Sequence, residues 1–240
     1  MTDPIQNVAL YGGSFDPVHL GHVAVARAAA EKFKLDRVYF VPADVQPLKA
    51  QQRVTNFYHR YAMLALALAE EQSFLPSLLE APEIVRASGQ PASYSVDTVA
   101  RMRSRMKSGT RLYFLIGMDA FEYIAQWRSA VELLRSVEFI VASRPGFPLE
   151  DIADLLPNEL RPSEDGRRRL RETGSLETKG LTIHLLPDVN EDVSATAIRQ
   201  AARRGEGLEA LVPRTVAGYI RKLKIYTEEL ELGSPEPPRA

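Results

Sequence analysis

Short apolar runs with a strand pattern alternate with longer helical patterns along most of this chain. "NVALYGG" is an apolar run that ends in glycines, and "VAVARAAAEKFKL" after it is rich in strong helix formers. "RVYFVPA" and "YHRYAMLALALAEE" repeat this pair of patterns further along. Strands that alternate with helices in this way predict a parallel sheet whose two faces are covered by helices.

The second half of the chain carries further strand patterns, namely "RLYFLIG", "EFIVAS" and "LTIHLLP", which helical patterns separate. Residues 73–85 are expected to be extended, because Pro76 and Pro82 limit helix formation. A last helix is predicted to end near Tyr226. The fold class expected is therefore α/β, with a Rossmann-like, doubly wound, mostly parallel sheet and helices on both faces.

Length and composition indicate one domain. The chain has 240 residues, of which 45% are hydrophobic, so it can bury a sizeable core. We expect residues 1–240 to form a single domain, with a solvated surface insertion at 148–180 and a flexible tail at 227–240. The insertion contains "GRRRLRETG", which could be a nucleic-acid patch, but its interspersed acidic residues and lack of aromatic residues favour a solvated segment.

The charge balance limits the partners that the chain can have. Its 30 basic and 31 acidic residues give a net charge of -1, which argues against a nucleic-acid backbone or an anionic membrane as the main partner. No apolar run is long enough to span a membrane, and the N-terminal residues lack the pattern of a signal peptide. Without cysteine, disulfides and thiolate chemistry are excluded. We therefore expect a cytoplasmic enzyme.

One loop carries the chemically most informative residues of the chain. The stretch "YGGSFDPVHLGH" follows the first predicted strand, where the ligand crevice of an open α/β sheet lies. Gly12 and Gly13 let a ligand approach the backbone, and the N-terminus of the following helix favours an anion. A phosphate is therefore the expected ligand. His19 and His22 are three residues apart, so both rings lie on one face of the first helical turn if the helix begins near them.

Three interpretations of this histidine pair remain open. The rings could hydrogen-bond within the loop without a functional role. Together with Asp16 they have the composition of a two-histidine, one-carboxylate metal site, although the sequence nearby offers neither a clear fourth ligand nor a general base. Alternatively, their N–H groups could stabilise the charge that develops on a phosphate under attack. The helix dipole would favour neutral imidazoles, which still donate.

The loop resembles the G-x-F-D-P-x-H-x-G-H motif of the HxGH nucleotidylyltransferase superfamily. Four further segments are similar to those of the bacterial nicotinate-mononucleotide adenylyltransferases, and they extend the resemblance over nearly the whole chain. These segments are "ASYSVDTV", "LIGMDAFEYIAQW", "FIVASRPGF", and "VSATAIR" followed by "LVPRTVAGYIRKLKIY". The loop motif alone would indicate only the superfamily, whereas the combination points to this one family.

The resemblance implies transfer of AMP from ATP to nicotinate mononucleotide, giving deamido-NAD and pyrophosphate. ATP and nicotinate mononucleotide would be the partners, and Mg²⁺ would bind mainly through the substrate phosphates and water. One alternative is the same transfer to another acceptor, such as nicotinamide mononucleotide, phosphopantetheine or a sugar phosphate. A metal-dependent hydrolase that uses Asp16, His19 and His22 is an alternative of another class, and a nucleotide-binding module without activity is a third.

The resemblance also implies roles for individual residues. His19 and His22 would be catalytic. ATP would be bound by residues from three segments, namely Gly12, Gly13, Ser14, Phe15, Gly117, Asp119, Ser194, Thr196 and Arg199. Nicotinate mononucleotide would be bound by Lys49, Tyr94, Ser95 and Trp127. Leu48 stands where the family often has a histidine, so any phosphate contact of that histidine is missing here.

Several of these residues also have simpler interpretations. Ser194 can cap a helix that faces a phosphate, with Arg199 one turn beyond Thr196, or it can be an ordinary N-cap beside a solvated arginine. Asp119 follows a strand at the crevice and could bind a sugar, or it could be a carboxylate that stabilises a helix N-terminus. Trp127 is the only tryptophan, and it could stack on a pyridine ring or lie in the core.

Overall fold

The computed structural model of the chain describes residues 5–45, 47, 54–143, 152–187, 189 and 193–227. Its strands are β1 (Asn7–Gly13), β2 (Arg37–Pro42), β3 (Phe74–Pro76), β4 (Arg111–Gly117), β5 (Glu138–Ala142), β6 (Ser175–Thr178) and β7 (Leu181–Leu186). They form one sheet in the order β3-β2-β1-β4-β5-β7-β6. Every pairing in it is parallel except that between β6 and β7. The predicted mostly parallel, doubly wound α/β fold is therefore confirmed.

Helices lie on both faces of this sheet. Those in the described residues are α1 (Leu20–Phe33), α2 (Phe57–Ala67), α3 (Pro82–Ala87), α4 (Ser95–Arg103), α5 (Met118–Phe121), α6 (Ala130–Ser136), α7 (Ile152–Leu155), α8 (Glu164–Thr173), α9 (Ala195–Arg203) and α10 (Arg214–Leu223). Side chains of α1, α2, α9 and α10 join one buried apolar cluster, and those of α4 to α8 join a second. None of these helices has the length and apolar character needed to cross a bilayer.

The sheet separates the two cores, and strand β1 contributes side chains to both. Successive side chains of a strand point to opposite faces of a sheet. Accordingly, Ala9 and Tyr11 belong to the cluster beneath α1 and α2, whereas Val8 and Leu10 belong to the cluster on the other face. All four are buried, which explains why this strand is a continuous apolar run rather than an alternating one.

The expectation of an extended segment over residues 73–85 is wrong for its second half. Phe74–Pro76 is a strand, as expected, but Pro82–Ala87 is a helix. Pro82 occupies the first helical turn, where its missing N–H would have had no partner within the helix. A proline limits a helix in its interior but is tolerated in its first turn, so Pro82 begins α3 instead of keeping this segment extended.

The expected insertion at 148–180 contributes to the second core. The structure describes it from Ile152 onwards, and the side chains of Ile152, Leu160 and Leu170 are fully buried. Its strand β6 extends the sheet as an antiparallel edge. The expected exposure to solvent is seen for charged residues of α8, such as Arg168.

The flexible tail was expected at 227–240. Of these residues the structure describes only Thr227, so the expectation stays a prediction.

Candidate active site

The crevice lies between β1 and β4, where the strand order reverses. Gly12 and Gly13 end β1 and Gly117 ends β4, so the predicted ligand segments reach the same edge of the sheet. A Cβ atom at Gly12 would lie 3.3 Å from the Phe114 ring, so a larger residue would crowd this edge. Asp119 is exposed in α5, directly after β4. The structure therefore brings two of the three predicted ATP segments together.

Phe15 supports the loop from inside the protein. It adopts a φ of 49°, which is uncommon for a bulky residue, and its side chain is buried. The ring centroid lies 5.5 Å from that of Tyr11, 5.6 Å from that of Phe40 and 4.9 Å from that of His22. Because the ring faces the core, a contact of Phe15 with ATP would have to involve its backbone. The side chain instead packs edge-on against His22.

The two histidines lie together at the start of α1. His19 is the N-cap residue, His22 lies in the first turn, and their ring centroids are 3.7 Å apart. The backbone N–H of His19 donates to Nδ1 of His22 at 3.2 Å, so the proton of a neutral His22 is on Nε2. Burial, and then the electrostatic influence of the adjacent His19, hold the pKa of His22 well below its ordinary value. His22 is therefore a neutral ring with one N–H to donate.

Asp16 joins three distant parts of the chain at this loop. The Tyr226 hydroxyl donates to Oδ1 of Asp16 at 2.7 Å, and the backbone N–H of Thr55 donates to Oδ2 at 3.2 Å. Nη1 of Arg199 donates to the Asp16 carbonyl oxygen at 2.7 Å. The side chain of Asp16 is buried, and the following peptide bond to Pro17 is cis. Asp16 thus connects the loop to α9, to the segment before α2 and to the turn after α10.

Arg60 holds the same loop from α2, although only 1% of it is exposed. Its Nε donates to the Thr55 carbonyl oxygen and its Nη1 to the Ser14 carbonyl oxygen, both at 2.7 Å. Burial lowers the pKa of Arg60, while the carboxylates of Asp16 and Asp44 oppose that shift. The guanidinium therefore places a buried positive charge beside the loop that is expected to bind phosphate.

The segment at the start of α9 meets the first loop. Ser194 is the N-cap residue of α9, and its Oγ accepts a hydrogen bond from the backbone N–H of Ala197 at 3.1 Å. Arg199 is not a solvated arginine, because it is partly buried and donates to both Thr196 Oγ1 and the Asp16 carbonyl oxygen. The third predicted ATP segment therefore adjoins the loop after β1.

The residues predicted for nicotinate mononucleotide are only partly described. Tyr94 is the N-cap residue of α4, and Ser95 is the first residue of that helix. Both side chains are half-buried. Lys49, and the departure at Leu48, lie outside the described residues. The predicted phosphate contact of Lys49 therefore stays a prediction.

Trp127 packs against the second core and is partly exposed to solvent. It is half-buried, contacts Phe114 edge-on with ring centroids 6.2 Å apart, and lines an open cavity of ≈ 820 Å³. The next residue, Arg128, places its guanidinium carbon 4.5 Å from the ring centroid of Tyr94. The structure thus joins the segment of Trp127 to that of Tyr94, and Trp127 has exposed surface that a fully buried tryptophan would lack.

The alternative interpretation of Asp16, His19 and His22 as a metal site finds no support in this geometry. Nowhere in the described ranges do three or more histidine, cysteine, aspartate or glutamate side chains form a group that could hold a metal ion. Both carboxylate oxygens of Asp16 already accept hydrogen bonds from Tyr226 and Thr55. The interpretation as a metal-dependent hydrolase therefore lacks the ligand set that it requires.

Sequence reasoning missed two residues of this network, Arg60 and Tyr226. Arg60 had a recognisable signal, because it lies three residues from both Phe57 and Met63 on the apolar side of α2, where a charged residue needs partners. Tyr226 ends a segment of the resemblance, but no local pattern indicates a partner for it, since it is the last residue of a helical pattern and precedes a charged tail. Its contact with Asp16 spans 210 residues of sequence and exists only in the folded chain.

Comparison with known proteins defines the class to which this fold and site belong. A family model described as Cytidylyltransferase-like matches residues 10–201, a range that begins in β1 and ends in α9. The matched range includes the histidine pair, the strand edge at the crevice and Arg199. The class is thus that of the nucleotidyltransferases.

Curated relatives identify the family within this class. The probable nicotinate-nucleotide adenylyltransferase of Thermoanaerobacter sp. (strain X514) is 33% identical over 226 residues, which cover 94% of this chain and 97% of the relative. That of Pelobacter propionicus (strain DSM 2379 / NBRC 103807 / OttBd1) is 35% identical over 224 residues, which cover 92% and 98%. The chain belongs to the nicotinate-nucleotide adenylyltransferase family, as its resemblance predicted.

A solved structure agrees at the level of the fold. The nicotinic acid mononucleotide adenylyltransferase of Plasmodium falciparum, complexed with NaAD, matches with a TM-score of 0.67. The match covers 92% of this chain and 97% of that one, at 17% sequence identity. At this identity the likeness supports the architecture, and the roles of individual residues need their own arguments.

Proposed function

We propose that this chain transfers the AMP group of ATP to nicotinate mononucleotide, which gives deamido-NAD and pyrophosphate in NAD biosynthesis. The observation that carries the proposal is the histidine pair at the start of α1. Its rings are 3.7 Å apart, and His22 is a neutral donor through Nε2. Membership of the nicotinate-nucleotide adenylyltransferase family supports the same reaction.

The reaction needs no covalent enzyme intermediate. The phosphate of nicotinate mononucleotide attacks the α-phosphorus of ATP in line, and pyrophosphate leaves from the opposite side. N–H groups of His19 and His22 stabilise the charge that develops on the α-phosphate. A neutral His22 donates without losing its own proton, which suits electrostatic stabilisation better than general acid catalysis.

The ATP would lie along the crevice between β1 and β4. We assign the outer phosphates to the start of α9, where Ser194 caps the helix and Arg199 supplies a positive charge. Asp119 is assigned to the ribose. The remaining ATP contacts are assigned to the loop and the strand ends, through Gly12, Gly13, Ser14, Phe15, Gly117 and Thr196.

The acceptor would lie on the side of Tyr94 and Trp127. The proposal places the pyridine ring on the exposed surface of Trp127, and its carboxylate at Tyr94 and Ser95, where α4 begins. The phosphate of the acceptor is assigned to Lys49. The contact between Arg128 and Tyr94 supports this assignment, because it keeps the two proposed walls of the acceptor site together.

The divalent cation of the reaction would be Mg²⁺. We propose that the phosphates of the substrate and water hold the cation, because Mg²⁺ dehydrates reluctantly and usually keeps several waters beside substrate phosphates. It would neutralise phosphate charge, and no protein residue is assigned to it.

Single substitutions of the histidines test the proposal. His19→Ala and His22→Ala should each lower turnover about a hundredfold, comparable with the loss of an oxyanion-hole donor, while ATP binding falls less. His184→Ala is the matched control, because His184 bonds Ser175 and Glu138 away from this loop. The assay is pyrophosphate release with ATP and nicotinate mononucleotide. Turnover within a few-fold of wild type in both variants would contradict the proposed role.

A further inference from the structure

The loop between β1 and α1 depends on a residue from the far end of the described chain. Both oxygens of the Asp16 carboxylate are occupied, one by the Tyr226 hydroxyl and the other by the Thr55 backbone N–H. Only 5% of Asp16 and 8% of Tyr226 are exposed, so water cannot readily replace the bond between them. Tyr226 and the Thr55 backbone N–H therefore together set the position of the Asp16 side chain.

The turn that carries Tyr226 is itself well fixed. The backbone N–H of Ile225 donates to the carbonyl oxygen of Ile220 at 3.0 Å, and both side chains are buried in the core beneath α1 and α2. Tyr226 has a φ of 71°, a left-handed backbone conformation that is uncommon for a residue other than glycine. Burial, and next the charge of Asp16, raise the pKa of Tyr226, so the phenol keeps its proton and donates a hydrogen bond to the carboxylate.

The position of Asp16 affects more than its own side chain. Its carbonyl oxygen accepts from Arg199, the residue assigned to the outer phosphates of ATP. It also lies three residues before His19, the first of the two proposed donors. A shift of Asp16 would therefore move a donor for the α-phosphate and a cation for the outer phosphates at the same time. Misplacement of reacting groups by about 1 Å can cost a hundredfold in rate.

We propose that Tyr226 is a positioning residue for AMP transfer, which acts through Asp16 on the phosphate-binding loop and on Arg199. This inference rests on the proposed function. Tyr226 does not touch the substrates in this scheme. Instead, its hydroxyl fixes the carboxylate of Asp16, and the loop and the arginine are aligned as a consequence.

The variant Tyr226→Phe removes only the hydroxyl group. We expect kcat to fall about tenfold, less than for a full 1 Å misplacement, because Thr55 and Arg60 still hold the loop. The KM for nicotinate mononucleotide should stay within about twofold of wild type. Tyr219→Phe is the matched control, since the Tyr219 hydroxyl bonds Nδ1 of His59 at 3.0 Å from α10. Its kcat should stay within about twofold of wild type.

A double-mutant cycle with Asp16→Ala, which removes the acceptor of the Tyr226 hydroxyl, distinguishes positioning from general destabilisation. If Tyr226 acts through Asp16, adding Tyr226→Phe to Asp16→Ala should lower kcat little further. Fully additive losses would overturn the inference. The inference would also be overturned if the melting temperature of Tyr226→Phe falls but its kcat, calculated per folded protein, equals that of wild type. The wild-type protein must first release pyrophosphate with nicotinate mononucleotide, and failure of that control would contradict the proposed function rather than the role of Tyr226.

Discussion

Replacing Arg60 by methionine tests whether a buried charge holds the loop in place. Methionine is similarly long and flexible, so it fills much of the space that the arginine side chain occupies. It cannot donate to the carbonyl oxygens of Ser14 and Thr55, each of which lies 2.7 Å from the guanidinium. The substitution therefore leaves two partly buried acceptors without their donor, close to the carboxylate of Asp16.

The expected loss of stability follows from these two hydrogen bonds. A hydrogen bond that involves a charged group contributes about 1.5 to 3 kcal/mol, so two of them contribute about 3 to 6 kcal/mol. Removal of a buried guanidinium also recovers some of its desolvation penalty, which favours the lower end of the range. We expect the free energy of unfolding of Arg60→Met to fall by about 3 kcal/mol. Turnover should fall as well, because Ser14 would no longer be fixed.

Urea unfolding followed by the fluorescence of Trp127, the only tryptophan, measures the change. Arg27→Met is the matched control, because the Arg27 side chain is 66% exposed and pairs with Glu71 at the surface, where such pairs contribute about 0 to 1 kcal/mol. If the midpoint and slope of Arg60→Met equal those of wild type, and turnover is unchanged, the argument that Arg60 supports the loop is refuted.

Two further predictions concern the rings of the site. Trp127→Ala should raise the KM for nicotinate mononucleotide about five- to 150-fold and that for ATP far less, since stacking contributes about 1 to 3 kcal/mol per base, and Trp127→Phe should recover much of the loss. Equal changes of both constants together with a large fall in melting temperature would mean a core role for Trp127 instead. The folded pKa of His22 is depressed, so below about pH 6.5 the unfolded chain binds more protons than the native one, and stability should fall as the pH falls. In His22→Asn the dependence of melting temperature on pH should be flatter over this range, and an unchanged dependence would contradict the assigned pKa.

The fold could be predicted from the sequence because its signals are local. The buried run "NVALYGG" and the helix formers after it each indicate one element, and their alternation leaves few topologies. The position of the crevice followed as well, since Gly13 and Gly117 end neighbouring strands. The histidine pair was predictable for the same reason, because a three-residue spacing brings two rings together in a single helical turn.

The support of the site could not be predicted, because it depends on contacts between distant parts of the chain. The bond from Tyr226 to Asp16 and that from Arg199 to the Asp16 carbonyl oxygen have no local pattern in the sequence. The buried apolar residues of 152–180 were also missed, since the charges of α8 dominate the composition of that stretch. Local patterns thus predict where a ligand binds, and tertiary contacts hold the side chains of the predicted site in place.

Pyrophosphate release by the purified wild-type protein, with ATP and either nicotinate mononucleotide or its amide, tests the proposed function most directly. We expect release with the nicotinate substrate, at a higher kcat/KM than with nicotinamide mononucleotide, because the start of α4 at Tyr94 and Ser95 favours a carboxylate. Faster turnover of the amide, or no pyrophosphate release with nicotinate mononucleotide, would contradict the proposed function.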